Sequence, residues 1–409
     1  MAKSFPGNQE PEYQLTDALD TDYYAVFSDI PEADRKIWQR TRDFAQAHVE
    51  TMRQGWNDHH YPLEVARAMG QVGLINDGVD HPDLEQFSPL AAGLVNMELS
   101  RVDGSLGTIL AVQGGLALRT ITMFGSEEQQ AKYVKAIANV DLPAAFGLTE
   151  PDHGSDSTGL ETTATRQTDG SYVIRGSKRW IGNGSSGGIT ITFARVADQG
   201  ADDDGKVRGF IVPQDAEGYS GTPIRHKGVL RAIDQAHIYY DDVKVGTDAL
   251  IPGVKSFRNV SEVLYATRIG VAWSALGHAT AVFESALSYS TQRRQFGKYL
   301  AEHQMIQERL TRMLSDLVSM QLYMVRIAEL EAAGTLKPTQ AALAKYNNTR
   351  VARRIAADAR DMLGGNGILL ENGVIQHMAD IEGIHTYEGT ESVQALLVGR
   401  DITGHGAFA

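Results

Sequence analysis

The spacing of apolar residues changes period twice along this chain of 409 residues. From roughly residue 25 to 142 apolar positions recur at the intervals that line one face of an α-helix. One helix start is explicit: Ser126-Glu127-Glu128-Gln129 is a capping box, in which the Ser hydroxyl and the Gln side chain satisfy opposite backbone donors. Tyr133, Val134 and Ile137 then supply a buried stripe. From about 143 to 250 the runs shorten and become β-branched or aromatic, as in Ser171–Arg175, Gly188–Phe193 and His237–Tyr240. Turn clusters such as Asp169-Gly170 and Gln199 to Gly205 separate them, so this stretch predicts a small β unit. From about 255 to 400 the helical period returns. Ile306, Leu310, Met313, Leu314 and Leu317 mark a helix that Gly334 ends. Pro338 can open the next, where a missing N–H costs little, and that helix carries Val351, Ile355 and Met362 to Gly364-Gly365.

The expected fold class is therefore α+β, mainly α. We expect an N-terminal tail (1–25), a helical domain (26–143), a middle β-barrel or sandwich domain (144–252) and a C-terminal four-helix bundle domain (253–409). This is not the alternating βαβ order of a Rossmann fold, and neither GxGxxG nor GxxxxGK[ST] follows a strand.

Composition narrows the partners. The net charge of −13 disfavours nucleic acid and anionic membranes at long range, while leaving room for a local basic pocket. The absence of cysteine removes disulfides, thiolate metal sites and cysteine nucleophiles. The polar, acidic first residues lack the apolar core of a signal peptide. No stretch is expected to reach the roughly 18 apolar residues of a membrane span. The tail Gly404-His405-Gly406-Ala407-Phe408-Ala409 is not a peroxisomal address, so the cytoplasm is the expected location. No metal site is expected.

Four segments carry candidate chemistry. Phe146 to Asp156 (FGLTEPDHGSD) is a Pro/Gly-dense loop with free N–H groups and hydroxyls, able to hold a polar ring edge or a phosphate, or simply to turn the chain. Arg179-Trp180-Ile181-Gly182-Asn183 could lay an indole on a flat cofactor, although a lone Trp is more often core. Arg293-Arg294-Gln295-Phe296-Gly297-Lys298, followed by Glu302-His303-Gln304, offers charge-assisted bonds to a pyrophosphate, or a solvated basic face. Asp361-Met362-Leu363-Gly364-Gly365 lets backbone approach a ligand closely, and Thr386-Tyr387-Glu388-Gly389-Thr390 isolates one carboxylate in a turn.

Taken together and in this order, the segments resemble the acyl-CoA dehydrogenase family over nearly the whole chain. The tail from Thr386 through Gly399-Arg400-Asp401-Ile402-Thr403-Gly404 is similar to glutaryl-CoA dehydrogenase, and the loop at Glu150–Asp156 with Arg179–Asn183 is similar to the plant short-chain acyl-CoA oxidases. The resemblance implies FAD, lined by Phe146, Leu148, Thr149, Gly154 and Ser155, with Trp180, Ile181 and Gly182 packed on its ring. Many family members carry Thr where this chain has Gly182, so one hydroxyl contact is missing or replaced by backbone. Arg293, Phe296 and Gln304, with Asp361, Met362, Leu363, Gly364 and Gly365, match positions that reach the FAD of a neighbouring subunit, which implies a homotetramer. Thr390 and Phe408 match further flavin contacts.

Glu388 matches the catalytic base that draws the α-proton of an acyl-CoA thioester, while hydride passes from Cβ to flavin N5. Its own N–H and a flavin ribityl hydroxyl would stabilise the developing enolate, and a dry pocket would raise its pKa. Ser155, Tyr387, Gly389, Gly107, Thr108 and Arg268 match substrate-lining positions; for Arg268 a structural ion pair is an equal reading. The match breaks where glutaryl-CoA dehydrogenase uses Arg then Ser to hold its distal carboxylate, for these are Gly107 and Thr108 here. An unpaired buried carboxylate costs several kcal/mol, so an uncharged short- to medium-chain acyl-CoA is expected, with electrons going to an electron-transfer flavoprotein. An oxidase using O2, a glutaryl-CoA dehydrogenase, a carrier other than CoA and a catalytically silent flavin-binding module are the alternatives.

Overall fold

The computed structural model describes residues 13–198, 200 and 202–407. The chain begins with helices α1 (Glu32–Asp58), α2 (Leu63–Gln71), α3 (Pro89–Val102), α4 (Gly104–Leu110), α5 (Arg119–Phe124) and α6 (Glu127–Ala138). Between α4 and α5 the rod continues as a π-helical stretch, Ala111–Leu118, a widened geometry that is rare and concentrates at functional sites. α6 opens on the expected capping box: Gln129 N–H donates to Ser126 Oγ (3.2 Å) and Ser126 N–H to Gln129 Oε1 (3.1 Å).

Contrary to the expectation of no membrane-length apolar stretch, the rod Gly104–Phe124 is long and apolar enough, by length and composition, to cross a bilayer, with Gly and Thr diluting its apolar residues. In the fold most of that stretch is buried inside the protein, packed between the sheet and the C-terminal helices.

The middle of the chain is one eight-stranded mixed sheet: β1 (Ala144–Gly147), β2 (Thr163–Arg166), β3 (Tyr172–Gly182), β4 (Ile189–Ala197), β5 (Val207–Pro213), β6 (Tyr219–Pro223), β7 (Gln235–Val245) and β8 (Leu250–Ile251). Its order is β6-β7-β3-β2-β4-β5-β8, with β1 also on β4. β1 and β2 run parallel to β4, and the other pairs are antiparallel.

Helices then return as α7 (Phe257–Gln292), α8 (Gln304–Ala332), α9 (Pro338–Met362), α10 (Val374–Thr386) and α11 (Glu391–Thr403), with a small hairpin, β9 (Arg294–Gln295) and β10 (Lys298–Tyr299), between α7 and α8. Pro338 occupies the first turn of α9, and Gly334, in the left-handed region at φ 64°, follows the end of α8, as their chemistry requires. Trp273, Leu276, Leu317, Met324, Ala352 and Ile355 build the bundle core. A second core joins Leu118, Ile121, Val134 and Ile137 of the first helices to Phe146, Ile191 and Phe193 of the sheet. The π-helical rod is thus wedged between sheet and bundle.

Candidate active site

Gly147 ends β1 opposite Thr192, and Thr163 starts β2 opposite Arg195, so both strands lie along one edge of β4. Residues 148–162 leave the sheet between them and return. What pins this excursion is a buried ion pair at its root. The Glu150 carboxylate accepts from Glu161 N–H (2.6 Å), Thr162 N–H (2.9 Å) and Lys178 Nζ (2.7 Å), and Lys178 also donates to the Leu148 carbonyl (3.1 Å). Lys178 is wholly buried and Glu150 is 5% exposed. Burial pushes the Lys178 ammonium down to about 8 against the pull of Glu150. For Glu150 burial is the largest single influence and acts upward, yet Lys178 and the donated N–H bonds outweigh it and leave the carboxyl below its usual range. The apex from Pro151 to Asp156 stands out of the fold: Gly154 and Ser155 are exposed, and open space surrounds Gly154.

Beside this loop the β3–β7 ladder slips register between Lys178 and Ile181. The irregularity puts Trp180 at φ 65°, in the left-handed region that a bulky residue enters only when its surroundings hold it there. Its indole is 54% exposed, with the Arg179 guanidinium 5.1 Å from the ring centroid, while Ile181 turns inward. Gly182 has a reason of its own. A Cβ there would lie 2.7 Å from Val112 Cγ2 of the π-helical stretch, so the space a Thr would need is taken. The same stretch is bolted to the sheet by Gln113, whose Oε1 accepts from Ala144 N–H (2.8 Å) and Asn183 Nδ2 (2.9 Å).

The far side of the π-helical stretch faces the candidate base. The Cβ direction of Gly115 lies 2.7 Å from Asp77 Oδ2 and 3.3 Å from Thr267 Cγ2. Thr267 Oγ1 donates to Glu388 Oε2 at 2.8 Å. Glu388 sits between α10 and α11 at φ 52°, followed by Gly389 at φ 86°. Burial is the largest influence on its carboxyl and raises it above the usual range; the Thr267 hydroxyl, Lys345 and Arg268 act downward, and Asp77 acts upward. Among the described residues Arg268 has no hydrogen-bond partner at its buried Nε, and its guanidinium is near enough to Glu388 for the two charges to favour one another. Tyr387 packs against both helical cores, and burial holds its phenol in the neutral form.

Two expected substrate contacts are buried and already engaged within the fold. Gly107 is buried in the contact between α4 and its neighbours, and a Cβ on it would meet Ser100 Oγ at 2.1 Å. The Thr108 hydroxyl donates to the Gly104 carbonyl (2.8 Å) and lies beside the Tyr387 phenol. Every residue of α4, Gly104–Leu110, is buried.

A second group lies far off. Arg293 closes α7, Gln304 opens α8 and Asp361 lies near the end of α9, so all three meet at one end of the bundle. Arg293 Nη1 donates to Tyr13 Oη (3.3 Å), Asp361 pairs with Arg309, and Asn366 Nδ2 ties the following turn to Tyr289 Oη (2.9 Å). Met362 and Leu363 are core, whereas Gly364 and Gly365 are exposed with open space around them. Phe296 tips the β9–β10 hairpin at 92% exposure. Thr267 and Arg293 are separated by roughly 26 residues of α7, which is about 39 Å at 1.5 Å per residue. One chain therefore does not bring the two groups together. Thr390 caps α11, accepting from Val393 N–H (3.3 Å). Phe408 lies outside the described residues.

Sequence reasoning missed Thr267, Asp77, Gln113, Lys178, Lys345 and Gln394. Lys345 offered the one usable signal: a lysine on the buried face of α9, next to a polar run Asn347-Asn348-Thr349 in a helix otherwise read as core.

Comparison with known proteins gives one answer. Residues 31–141, 145–243 and 257–403 match the family models for the acyl-CoA dehydrogenase N-terminal, middle and C-terminal domains. A Bacillus subtilis (strain 168) acyl-CoA dehydrogenase is 32% identical over 372 residues, 89% of this chain and 96% of that protein. The bovine mitochondrial short-chain specific acyl-CoA dehydrogenase is 32% identical, covering 93% of this chain and 92% of the relative. The crystal structure of a glutaryl-CoA dehydrogenase from Mycobacterium smegmatis superposes with a TM-score of 0.90 at 33% identity, over 94% of this chain and 98% of its own. A glutaryl-CoA dehydrogenase from the same organism, in complex with FADH2, gives 0.90 at 30% identity, over 95% and 98%.

Proposed function

The chain belongs to the acyl-CoA dehydrogenase family, and from that premise we propose that it converts a short- to medium-chain acyl-CoA into the trans-2-enoyl thioester, with Glu388 as the base. The observation that carries this reading is the state of Glu388: a carboxyl raised by burial, aimed by the Thr267 hydroxyl, on a backbone whose N–H has no acceptor among the described residues. A carboxylate with a raised pKa is a stronger base near neutrality. The free N–H is a donor available to the thioester carbonyl as negative charge grows there.

The chain fits FAD on its own terms. A half-exposed indole held in a costly backbone conformation beside an open Gly154 loop is the surface a flat ring needs. When bound there, FAD supplies the two-electron acceptor for the reaction. Phe146, Leu148 and Ile181 would form the apolar floor, with Thr149 and Ser155 on the rim. Arg293, Gln304 and the Asp361–Gly365 turn, about 39 Å along α7 from the base, would serve the FAD of a second copy. The exposed Phe296, Met305 and Ile368 at that bundle end support a homotetramer, because uncovered apolar side chains cluster there.

The substrate is not glutaryl-CoA in this reading. Gly107 leaves no room for a guanidinium, and the cations near the base are already engaged, Arg268 electrostatically with Glu388 and Lys345 on the carbonyls that flank it. Electrons would pass to an electron-transfer flavoprotein.

An anaerobic series of butyryl-, hexanoyl-, octanoyl- and glutaryl-CoA, followed by flavin absorbance, tests the proposal. Bleaching by the uncharged chains, and a loss of about 10³-fold in rate on Glu388→Gln, are the expected results. Turnover of glutaryl-CoA with CO2 release, or an active Glu388→Gln, contradicts it. Stoichiometric peroxide under air would identify O2 as the acceptor instead.

A further inference from the structure

Lys345 projects from the middle of α9 into the protein and is 1% exposed. A buried lysine is costly unless its donors are placed; burial is the largest influence on this ammonium and, with Arg268 adding to it and Glu388 opposing, it is pulled down to about 7. Its placement is specific. Nζ donates to the Tyr387 carbonyl and to the Gly389 carbonyl (2.6 Å), the two residues that flank the base. Gln394, from α11, completes the set: its Nε2 donates to the Glu388 carbonyl (3.0 Å) and to the Gly389 carbonyl (2.9 Å). Three consecutive carbonyls are thereby held by two side chains from two helices.

The peptide bonds here are trans, so each N–H points opposite to the carbonyl of its own peptide unit. Fixing the Tyr387 carbonyl on Lys345 directs the Glu388 N–H away from α9. Fixing the Glu388 carbonyl on Gln394 directs the Gly389 N–H away from α11. Neither N–H has an acceptor among the described residues. The clamp also accounts for Glu388 at φ 52°, a left-handed conformation that a residue with a Cβ adopts at a cost and keeps only when its surroundings hold it.

We propose that Lys345 is a positioning residue for the reaction: by clamping the carbonyls on either side of Glu388 it orients the Glu388 N–H toward the thioester oxygen and holds the carboxylate at the α-carbon. This rests on the function proposed above. Lys345 itself touches no reacting atom in this scheme. Its effect passes through the backbone, so it should alter how well the site stabilises an enolate and leave binding of the CoA portion nearly unchanged.

The test uses the FAD-loaded enzyme and acetoacetyl-CoA, a 3-oxo thioester whose C2 proton is acidic enough to leave without hydride transfer. Donors aimed at the thioester oxygen favour its enolate, which is read by absorbance. Wild type is expected to show the enolate band near neutral pH. Lys345→Met, with normal flavin content and a cooperative melt, should lose the band and reduce its flavin with butyryl-CoA about 100-fold more slowly, the scale for one oxyanion donor, at a KM within about threefold of wild type. Gln394→Leu should lose less, because it frees the Gly389 N–H and leaves the Tyr387 carbonyl clamped. Should Lys345→Met not fold, Lys345→Gln, which keeps an amide donor, is measured in its place and should show a weakened band. A wild-type enolate band and reduction rate in the folded variant overturn the inference while leaving the proposed function standing. A wild-type enzyme that responds to no acyl-CoA overturns both.

Discussion

Lys178→Met isolates the physics of the loop that leaves the sheet between β1 and β2. The substitution keeps the length and apolar stem of the side chain and deletes its charge, together with the bonds to Glu150 (2.7 Å) and to the Leu148 carbonyl (3.1 Å). Glu150 is left 5% exposed, with two backbone N–H donors and no cation. Removing one partner of a buried pair costs 3–5 kcal/mol, and the two remaining charge-assisted bonds place this case at the low end, about 3 kcal/mol. That cost falls on local opening of the loop. The reporters are the Glu161 and Thr162 amides, because their acceptor is the orphaned carboxylate. About 3 kcal/mol corresponds to hydrogen exchange faster by roughly 150-fold at these two sites in the regime where exchange tracks the open population. Glu150→Gln combined with Lys178→Met should recover much of the loss, giving a coupling of about 2 kcal/mol. Unchanged exchange at Glu161 and Thr162, or strict additivity in the double variant, would refute the claim that this pair holds the loop.

Two further outcomes follow from buried titratable groups. Thr267→Val removes the hydroxyl that bonds the Glu388 carboxylate at 2.8 Å and so favours its charged form; the acid limb of the pH–rate profile for flavin reduction should move to higher pH, and a downward or absent shift contradicts the assignment. Asp380, wholly buried where Trp56 Nε1 (3.0 Å) and Leu230 N–H (2.6 Å) donate to it, is raised to about 8 by burial and by the nearby Asp103. Its unfolded value is about 3.9, so between roughly pH 4 and 8 the folded state holds the extra proton and stability falls as pH rises. Asp380→Asn, neutral at every pH and still an acceptor, should therefore melt above wild type at pH 8 and match it at pH 4, as calorimetry would read; lower melting at both pH values removes the argument.

Much of the scaffold was legible because local chemistry and tertiary structure agree. Ser126 with Gln129, and Pro338, sit where capping requires them, and the segments around Tyr172, Ile191 and Ile238 are central strands of the sheet. The π-helical stretch was not legible. Ala111 to Leu118 reads as ordinary apolar helix, and its widened geometry comes from being wedged between the sheet, through Gln113 and Val112, and α7, through Gly115 against Thr267. The membrane-length rod was missed for a related reason: glycines that lower its apolar average are the ones that let Asp77, the Ile75 carbonyl and Ser100 press against it.

The candidate site divides along the same line. Glu388 stands out in the sequence because a carboxylate between Tyr and Gly lies in a turn, yet what makes it a candidate base is nonlocal. Its backbone conformation depends on Lys345 of α9 and Gln394 of α11, its carboxylate on Thr267 of α7, and its raised pKa on burial among all three. No linear pattern encodes where the Lys345 ammonium ends, since a lysine on a helix face is ordinarily solvated. The second cluster presents the converse case. The resemblance assigns Arg293, Gln304 and the Gly364-Gly365 turn to the FAD of a neighbouring copy, and about 39 Å of α7 lies between Arg293 and Thr267, the residue that bonds the base. A helix is too stiff to fold those ends together, so within one chain the two clusters cannot serve the same molecule. If both serve FAD, the site is complete only where the bundle end of one copy meets the sheet of another, and dilution that dissociates the assembly should release flavin in step with it.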